Sequence, residues 1–337
     1  MRNYTLDKDT LTKLLARIVE QGRVLAPVRR GRSAFVFDQV REPGSVALDY
    51  VRTILPPKKA FLVPPETVVG SRAQPVMDEL PWVLFAVHPC DLAAIARLDW
   101  ALEGNGRAPA YFARREAATI VGIDCMPDEH CFCTSMRTDG ARDGADLFLT
   151  PIEDGYVVEV LTEKGETLLH EAGAFRDASA GELCEAERWA REKARRATPY
   201  VDVIAAELPE SLERQYDSEA WDRVVQSCCN CGTCTIVCPT CYCFELDDEL
   251  NFACTAGRRS GRDSCRLADL APMAGARNFG EARMNRVRHR FLHKFRHAQL
   301  DYGRPFCTGC GRCSEACVAR LSPTDVVGLM ATQGGRG

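Results

Sequence analysis

Two strings of regularly spaced cysteines near the C-terminus carry the clearest chemical signal in this sequence. In each string, two residues separate the first three cysteines from one another and three residues precede the fourth. The strings are Cys228, Cys231, Cys234, Cys238 and Cys307, Cys310, Cys313, Cys317. This spacing is typical of bacterial ferredoxins, in which the thiolates hold [4Fe–4S] clusters. The sequence therefore predicts two clusters, which would carry single electrons.

The fourth cysteine of each string is expected to bind the cluster of the other string. Three thiolates at this spacing surround one side of a cluster, and the fourth points away from it. The predicted ligand sets are Cys228, Cys231, Cys234 and Cys317 for one cluster, and Cys307, Cys310, Cys313 and Cys238 for the other. Pro239 ends the first string in the usual way, whereas Val318 replaces the proline after the second.

Two other chemistries fit these strings less well. Zinc sites usually combine two separated Cys-x2-Cys pairs, which two unbroken triples do not resemble. The spacing Cys234-x3-Cys238-x2-Cys241 matches radical S-adenosylmethionine enzymes, but Thr240 stands where that motif has an aromatic residue. The largely helical remainder of the chain also lacks the β/α units that such an enzyme needs. Iron–sulfur clusters are the better interpretation.

Four further cysteines lie in the first half of the chain: Cys90, Cys125, Cys131 and Cys133. Two of them follow predicted strands, and parallel strands bring their carboxyl ends to one edge of a sheet. We expect a third [4Fe–4S] cluster at this edge, with these four thiols as ligands. The alternative is a set of small buried apolar residues, which is common for free cysteine.

The remaining cysteines are harder to interpret. Cys241, Cys243 and Cys265 could complete an extra cluster, supply a ligand to the N-terminal cluster, or only pack beside the clusters. Cys184, Cys229 and Cys254 are expected to bind no metal. Cys229 is adjacent to a predicted ligand and cannot easily turn toward the same iron.

Size and composition describe an ordinary globular protein. The 337 residues allow two or three domains, and 46% hydrophobic and 27% charged residues are normal values. A net charge of −4 does not suggest a nucleic-acid or anionic-membrane binder. The N-terminus has no apolar signal region, and the longest apolar run, Trp82–Val87, is too short to span a bilayer. Eighteen cysteines in such a chain indicate metal binding in a reducing cytoplasm.

The elements that must position the cysteines divide the chain into three predicted regions. Residues 1–145 are expected to form an α/β domain, residues 146–225 a connector of β-hairpins and helices, and residues 226–330 an α-helical ferredoxin domain with two clusters. In the first region we predict a helix over 6–22, a helix over Asp91–Leu102, and strands at Ala34–Phe37, Ala60–Val63, Trp82–Val87 and Thr119–Ile123.

The connector and the third region have their own local signals. Asp154-Gly155 and Lys164-Gly165 are predicted hairpin turns within 146–170, and charged helices are predicted from about Ala180 to Val224. Glu281–Tyr302 is predicted to be helical. Its segment Arg286–His297 holds five Arg or Lys residues and three His residues. A solvated basic face is the simplest interpretation; the alternative is that these cations lie against the clusters and raise their reduction potential.

Several motifs of substrate chemistry are absent from the sequence. It contains no G-x-G-x-x-G dinucleotide motif, no P-loop and no H-E-x-x-H, and it lacks the paired Cys-x2-Cys ligands of a nickel–iron centre. A chain with electron carriers but no substrate site of its own is expected to be a non-catalytic subunit of a larger oxidoreductase.

Taken together, the motifs resemble a known family. The segments FAVHPCDLAAI, GIDCMPDEHCFCTSM, CCNCGTCTIVCPTCYCFEL, RDSC, RFLHKF and CTGCGRCSEAC occur in the order found in the β subunit of cytoplasmic, NAD(P)-linked nickel–iron hydrogenases of the sulfhydrogenase type. The corresponding iron–sulfur subunit of anaerobic sulfite reductase is closely similar. The resemblance spans roughly residues 80–320. His88 stands where the family usually has arginine.

The resemblance implies an electron-transfer subunit with two kinds of partner. One would be a flavoprotein that binds FAD and NAD(P). The other would be the small and large subunits of a nickel–iron hydrogenase or, in the alternative, a sirohaem sulfite reductase subunit. It also implies that the eight ferredoxin-type cysteines hold the two clusters, and it supports the importance of the N-terminal four.

Overall fold

The computed structural model describes residues 2–62, 66–70, 82–104, 108–171, 173, 175–197, 207–250, 256–268, 278 and 280–332. The strands are β1 Arg2–Asp7, β2 Arg23–Arg30, β3 Ala34–Gln39, β4 Glu66–Gly70, β5 Trp82–Val87, β6 Ala118–Ile123, β7 Leu147–Ile152, β8 Gly155–Val160, β9 Arg176–Asp177, β10 Phe244–Leu250 and β11 Ala256–Arg262.

The α-helices are α1 Lys8–Gln21, α2 Pro89–Gly104, α3 Pro109–Ala117, α4 Glu163–Glu171, α5 Ala180–Arg196, α6 Leu208–Arg214, α7 Ala220–Ser227, α8 Thr233–Ile236, α9 Arg283–Leu292, α10 Ala298–Tyr302, α11 Arg312–Glu315 and α12 Pro323–Thr332. A π-helical turn, His293–His297, joins α9 to α10. Short 3₁₀ turns occur at Pro43–Ser45 and Pro57–Ala60.

A mixed sheet forms the centre of the N-terminal half. Its described strands run in the order β3-β2-β5-β6-β7-β8-β1-β9. Strands β2, β5, β6 and β7 are parallel, and the others pair antiparallel at the two ends. The predicted strand–helix–strand unit is confirmed as β5, α2 and β6. The predicted hairpin turn at Asp154-Gly155 joins β7 to β8, which extends the same sheet.

Helices cover both faces of this sheet. Helix α1 begins after Asp7, whose carboxylate accepts a hydrogen bond from the Thr10 amide, and it buries an apolar stripe that includes Leu11, Leu14 and Ile18. On the opposite face, α2 and α3 bury residues such as Ile95 and Tyr111. The α/β prediction for the N-terminal half is therefore confirmed.

Two local predictions in this half are wrong. Residues 57–60 form a 3₁₀ turn instead of leading into the predicted strand Ala60–Val63, since two prolines precede Lys58 and proline cannot donate a ladder hydrogen bond. Val63 lies outside the described residues. Lys164 and Gly165 belong to α4 and do not form a turn. Gly165 is required there because a Cβ atom would collide with the Asp146 backbone.

The C-terminal half is mainly helical, as predicted. Its core gathers side chains of α6, α7, α9 and α12 around Trp221, and it also takes in Phe132 and Met136 from the N-terminal half. The predicted charged helices from 180 to 224 appear as α5, α6 and α7. The predicted helix Glu281–Tyr302 is confirmed over Arg283–Tyr302, with the π-helical turn inside it.

A purely helical ferredoxin domain is nevertheless wrong. Strands β10 and β11 form an antiparallel hairpin between the two cysteine strings, and β4 from the N-terminal half adds a third strand. The sequence of β10, FELDDEL, has no β-branched residue and four acidic ones, so its strand signal is weak. The strand at Glu66–Gly70, ETVVG, does carry a local signal in Thr67, Val68 and Val69, but its pairing with β11 cannot be predicted from local pattern. Within the described residues, no helix is both long and apolar enough to cross a membrane.

Candidate iron–sulfur centres

The two cysteine strings adopt the same backbone conformation. Asn230 and Gly232 in the first string have φ values of 55° and 76°, and the equivalent Gly309 and Gly311 in the second have 66° and 75°. These left-handed residues turn the chain into the short helices α8 and α11, which carry the third cysteine of each string and contact each other. The strings are therefore paired structural copies, as two-cluster ferredoxins require.

One predicted ligand set surrounds a cavity. Cys307, Cys310 and Cys313 line it together with Cys238 from the other string, as the crossed assignment predicts. Burial raises the pKa of the Cys307 thiol to about 12 and also raises the pKa of Cys310. Cys307 and Cys310 are therefore protonated unless a metal binds them as thiolates. A cavity shaped by four thiols fits an iron–sulfur cluster.

The other predicted set is marked by a buried arginine. Arg266 Nη2 donates to Cys228 Sγ at 2.7 Å, and the Asn230 backbone N–H donates to the same sulfur at 3.3 Å. Arg266 is 2% exposed, and its Nε and Nη1 atoms have no hydrogen-bond partner among the described residues. Buried, unpaired donors beside a cysteine sulfur fit an anionic cluster that would accept from them. The assignment of Cys317 to this set remains a prediction.

The four N-terminal cysteines converge at one edge of the sheet. Cys90 opens α2 directly after β5, and Cys125 follows β6. Cys90 interacts electrostatically with Cys125 and Cys133, and Cys125 interacts with Cys131. Burial raises the pKa of Cys131 to about 12 and that of Cys133 to about 11. The structure thus brings together the residues that the sequence predicts for a third cluster.

A bulge at the end of β5 sets the direction of the chain before Cys90. Ala86 has a φ value of 59°, unusual for a residue with a side chain, and the register to β6 shifts there. The Tyr50 hydroxyl donates to the Ala86 carbonyl at 2.7 Å, and the Tyr50 ring stacks on buried His88 with centroids 3.9 Å apart. His88 is therefore held in place by stacking.

The N-terminal cysteines adjoin the second string directly. The Phe132 amide donates to the Gly309 carbonyl at 2.8 Å, and the Thr138 hydroxyl donates to the Thr308 carbonyl at 2.6 Å. A Cβ atom on Gly309 would come within 2.5 Å of the Phe132 backbone. Only glycine fits at this contact. Two cysteine groups far apart in sequence are neighbours in the fold.

A buried ion pair fastens the same junction. Arg312 Nη1 and Nη2 donate to the two oxygens of the Asp91 carboxylate, at 2.6 and 2.7 Å, and both side chains are almost fully buried. Arg312 Nε also donates to the Thr53 carbonyl at 2.8 Å. Asp91 stands next to Cys90, and Arg312 stands between Cys310 and Cys313. The ion pair therefore fixes the position of one cysteine group relative to the other.

The basic segment Arg286–His297 is not a solvated face. Arg286, Arg290 and Lys294 are buried at intervals of four residues, and Phe295 packs into the core. Arg290 and Lys294 line the cavity of the second ligand set. The prediction of a solvated basic face is wrong here, and the position of Arg290 and Lys294 beside predicted cluster ligands supports the alternative. Their charge would stabilise a reduced cluster.

Other buried cations near the cysteines were not predicted. Lys193 from α5 pairs with Asp124 beside Cys125, and Arg52 Nη2 lies 3.5 Å from Cys131 Sγ. Lys58 donates to the Cys241 carbonyl, and burial lowers the pKa of Lys58 to about 8. Of Arg266, Lys193, Arg52 and Lys58, only Arg266 is adjacent in sequence to a cysteine, Cys265. Lys193, Arg52 and Lys58 are distant in sequence from the cysteines they approach.

The other cysteines fall into two groups. Cys184 and Cys229 are exposed, and Cys254 lies outside the described residues. Cys241, Cys243 and Cys265 lie close to the first string, and the Cys241 backbone amide donates to the Cys238 carbonyl at 3.5 Å. Within the described part of the chain, no three His, Cys, Asp or Glu side chains are placed to hold a single metal ion.

Comparison with known proteins agrees with this geometry. The family model for a 4Fe–4S dicluster domain matches residues 227–321, which include both cysteine strings. The chain is 37% identical to sulfhydrogenase 2 subunit beta of Pyrococcus furiosus over 332 residues, covering 97% of this chain and 98% of that protein. The chain belongs to the sulfhydrogenase β-subunit family.

Membership in this family settles the cofactor. The chain is an iron–sulfur protein that binds [4Fe–4S] clusters, and its dicluster domain, residues 227–321, lies in the C-terminal half of the fold. No solved structure matched the chain. The crossed ligand sets and the N-terminal third cluster remain predictions that the geometry supports.

Proposed function

We propose that this chain relays single electrons between a flavoprotein that binds FAD and NAD(P) and the small and large subunits of a nickel–iron hydrogenase. When bound, [4Fe–4S] clusters supply one-electron carriage. The relative is named as one subunit of a sulfhydrogenase, which supports a multi-subunit assembly. A flavin partner is needed because a flavin can convert the two-electron hydride of NAD(P)H into single electrons. We place the assembly in the cytoplasm.

The observation that carries this proposal is the junction between the two cysteine groups. The hydrogen bond from Phe132 to Gly309 joins the loop that holds Cys131 and Cys133 to the loop that holds Cys307 and Cys310. With α8 against α11, the cysteines form a continuous series from the sheet edge to the first string. Such a series suits a conduit that passes electrons through the subunit, with a partner near each end.

The chain's own residues would have three roles in this conduit. The twelve predicted ligands are Cys90, Cys125, Cys131 and Cys133 for a third cluster and the two crossed sets for the others. Arg290, Lys294 and Arg266 place positive charge beside them. Phe132 and Phe295 line the cavity formed by Cys238, Cys307, Cys310 and Cys313, where their apolar rings exclude water. The division into regions 1–145, 146–225 and 226–330 is part of this proposal.

Isolation from the native host tests the partners. Pull-down of the tagged chain should recover a flavoprotein together with nickel–iron hydrogenase subunits. The isolated chain should accept electrons from dithionite but show no hydrogen-dependent reduction of NAD(P). Recovery of a sirohaem subunit instead would replace the hydrogenase assignment with sulfite reduction. A lone chain that turns over a substrate would contradict the conduit altogether.

A further inference from the structure

A short segment, residues 264–267, packs against the first cysteine string. The Asn230 side-chain amide donates to the Arg266 carbonyl at 2.7 Å, and the Arg266 backbone N–H donates to Ser264 Oγ at 3.1 Å. Ser264 Oγ in turn lies 2.7 Å from the Thr235 hydroxyl oxygen in α8. These hydrogen bonds fix the backbone of Arg266 against the string.

The side chain of Arg266 is directed at a predicted cluster ligand. Its Nη2 atom donates to Cys228 Sγ at 2.7 Å, and the residue is 2% exposed. Among the described residues, its Nε and Nη1 atoms have no hydrogen-bond partner, and no carboxylate pairs with it. Two buried donors and a buried positive charge therefore need a group that these residues do not supply.

An iron–sulfur cluster has the chemistry that this guanidinium needs. A buried charge without a counter-charge is strongly unfavourable, and buried donors normally have acceptors. The thiolates and inorganic sulfides of a [4Fe–4S] cluster accept hydrogen bonds, and the cluster together with its thiolates is an anion. Cys228 already accepts from Arg266, so a cluster bound to Cys228 would lie beside the same guanidinium.

We propose that Arg266 donates hydrogen bonds to the cluster of the first string and raises its reduction potential. Hydrogen bonds to cluster sulfurs and positive charge beside them both favour the reduced state, which is the more negative one. Asn230, Ser264 and Thr235 hold Arg266 in place and act on the cluster only through it. The inference rests on the proposed relay for the presence of this cluster, but it does not depend on which partner subunits the chain meets.

Arg52 at the N-terminal cysteines provides a contrast. Its Nη2 atom lies 3.5 Å from Cys131 Sγ, and its buried Nε atom also has no hydrogen-bond partner among the described residues. Arg52 pairs with Asp128 and Glu315, however, so protein carboxylates compensate its charge. Loss of Arg266 should therefore change a cluster potential more than loss of an arginine whose charge is already compensated.

Redox titration of the anaerobically prepared full chain, followed by electron paramagnetic resonance, tests the proposal. Arg266→Gln should lower the potential of one cluster, and that cluster should be the one whose signal Cys231→Ser alters. Arg266→Lys keeps the charge but loses the donor geometry of the guanidinium, so its shift should be smaller. The control, Arg214→Gln, removes an exposed arginine that pairs with Glu210 and should shift no potential. An unchanged potential in Arg266→Gln with full iron content would overturn the proposal.

A second measurement uses the unaltered chain, in case Arg266→Gln loses the cluster. The protein is produced with arginine that carries ¹⁵N in its guanidinium, and the reduced form is studied by pulsed electron paramagnetic resonance. A hydrogen bond from Arg266 should give a ¹⁵N hyperfine coupling on the signal of the first-string cluster. Absence of that coupling would overturn the proposal. Neither measurement involves partner subunits, so failure of the relay in the assembled complex would leave both results unchanged.

Discussion

At the scale of single residues, the junction between the two halves depends on residues that cannot be substituted without loss of stability. Asp91 and Arg312 are a fully desolvated pair, so either partner alone would be an uncompensated buried charge. Gly309 has a left-handed backbone conformation. The backbone of Phe132 and Cys133 also occupies the position that a Cβ atom on Gly309 would take. These residues position the cysteines without binding iron.

The ion pair yields the first prediction. Asp91→Asn should destabilise the anaerobic holoprotein by about 3–5 kcal/mol, because Arg312 is left charged and buried. The control is Glu187→Gln, which removes an exposed helical pair with Arg191 and should cost less than about 0.5 kcal/mol. Urea denaturation followed by cluster absorbance measures both. Equal midpoints for the two variants would show that the buried pair adds nothing to stability.

Gly309 yields the second prediction, with Gly303 as its control. Both have left-handed φ values, 66° and 71°, so alanine costs about 1–2 kcal/mol of strain at either position. A Cβ atom at Gly303 meets nothing within 4 Å, whereas at Gly309 it collides with the backbone of Phe132 and Cys133. Gly309→Ala should therefore cost about 1–3 kcal/mol more. We would measure unfolding midpoints and iron content. A similar loss for both variants would contradict the contact.

At the scale of elements, the paired strings make a prediction about shared ligands. Cys238 belongs to the first string but lines the cavity of the second. Cys238→Ser and Cys310→Ser should therefore perturb the same cluster, and Cys231→Ser should perturb the other one. Electron paramagnetic resonance of the reduced variants, with iron content, separates the two signals. If Cys238→Ser and Cys231→Ser affect the same signal, the ligands do not cross.

Elements with a strong local pattern could be predicted from sequence. Helix α1, strands β5 and β6 and helix α2 have clear apolar periodicity, and the structure confirms them. The strand predicted at Ala60–Val63 failed because Pro56 and Pro57 decide the backbone there. The turn predicted at Lys164-Gly165 failed because its glycine serves close packing against Asp146. The sheet β10-β11-β4 depends on pairing between distant segments, which local pattern does not reveal.

The candidate sites also contain residues that the sequence predicts and residues that it does not. Cysteine spacing alone predicts the eight ferredoxin-type ligands, because a cluster demands a fixed spacing in the chain. The charges that surround them come from distant segments, so Lys58, Lys193 and Arg52 could not be predicted. Arg286, Arg290 and Lys294 did have a signal: basic residues repeat every four positions in a helix that also has core phenylalanines. That repeat indicates a buried cationic face.

At the scale of the whole molecule, the fold joins an α/β domain and a dicluster domain through their cysteine loops. The sheet edge presents Cys90 and Cys125, the loop with Phe132 contacts Gly309, and α11 contacts α8. Buried cations with carboxylates lie at one end of this series, and cations without them lie at its centre. We call the predicted cluster of Cys238, Cys307, Cys310 and Cys313 the central cluster. We therefore expect it to have a higher reduction potential than the predicted N-terminal cluster.

Redox titration tests this difference in potential. Lys294→Met should lower the potential of the central cluster, because a cation that stabilises the reduced state is lost. The potential of the N-terminal cluster should not change. The control is Arg296→Met, which replaces a less buried cation of the same helical segment that pairs with Glu213. An unchanged central potential in Lys294→Met would show that the buried charge does not tune the cluster.

The most direct test of the relay is to break it inside the assembled complex. The variant Cys310→Ser should be purified with all partner subunits present. Hydrogen-driven NAD(P) reduction should then be lost, while the partners keep hydrogen-driven and NAD(P)H-driven reduction of a viologen dye, since those half-reactions bypass this chain. Undiminished hydrogen-driven NAD(P) reduction in a complex that lacks the Cys310 cluster would contradict the account.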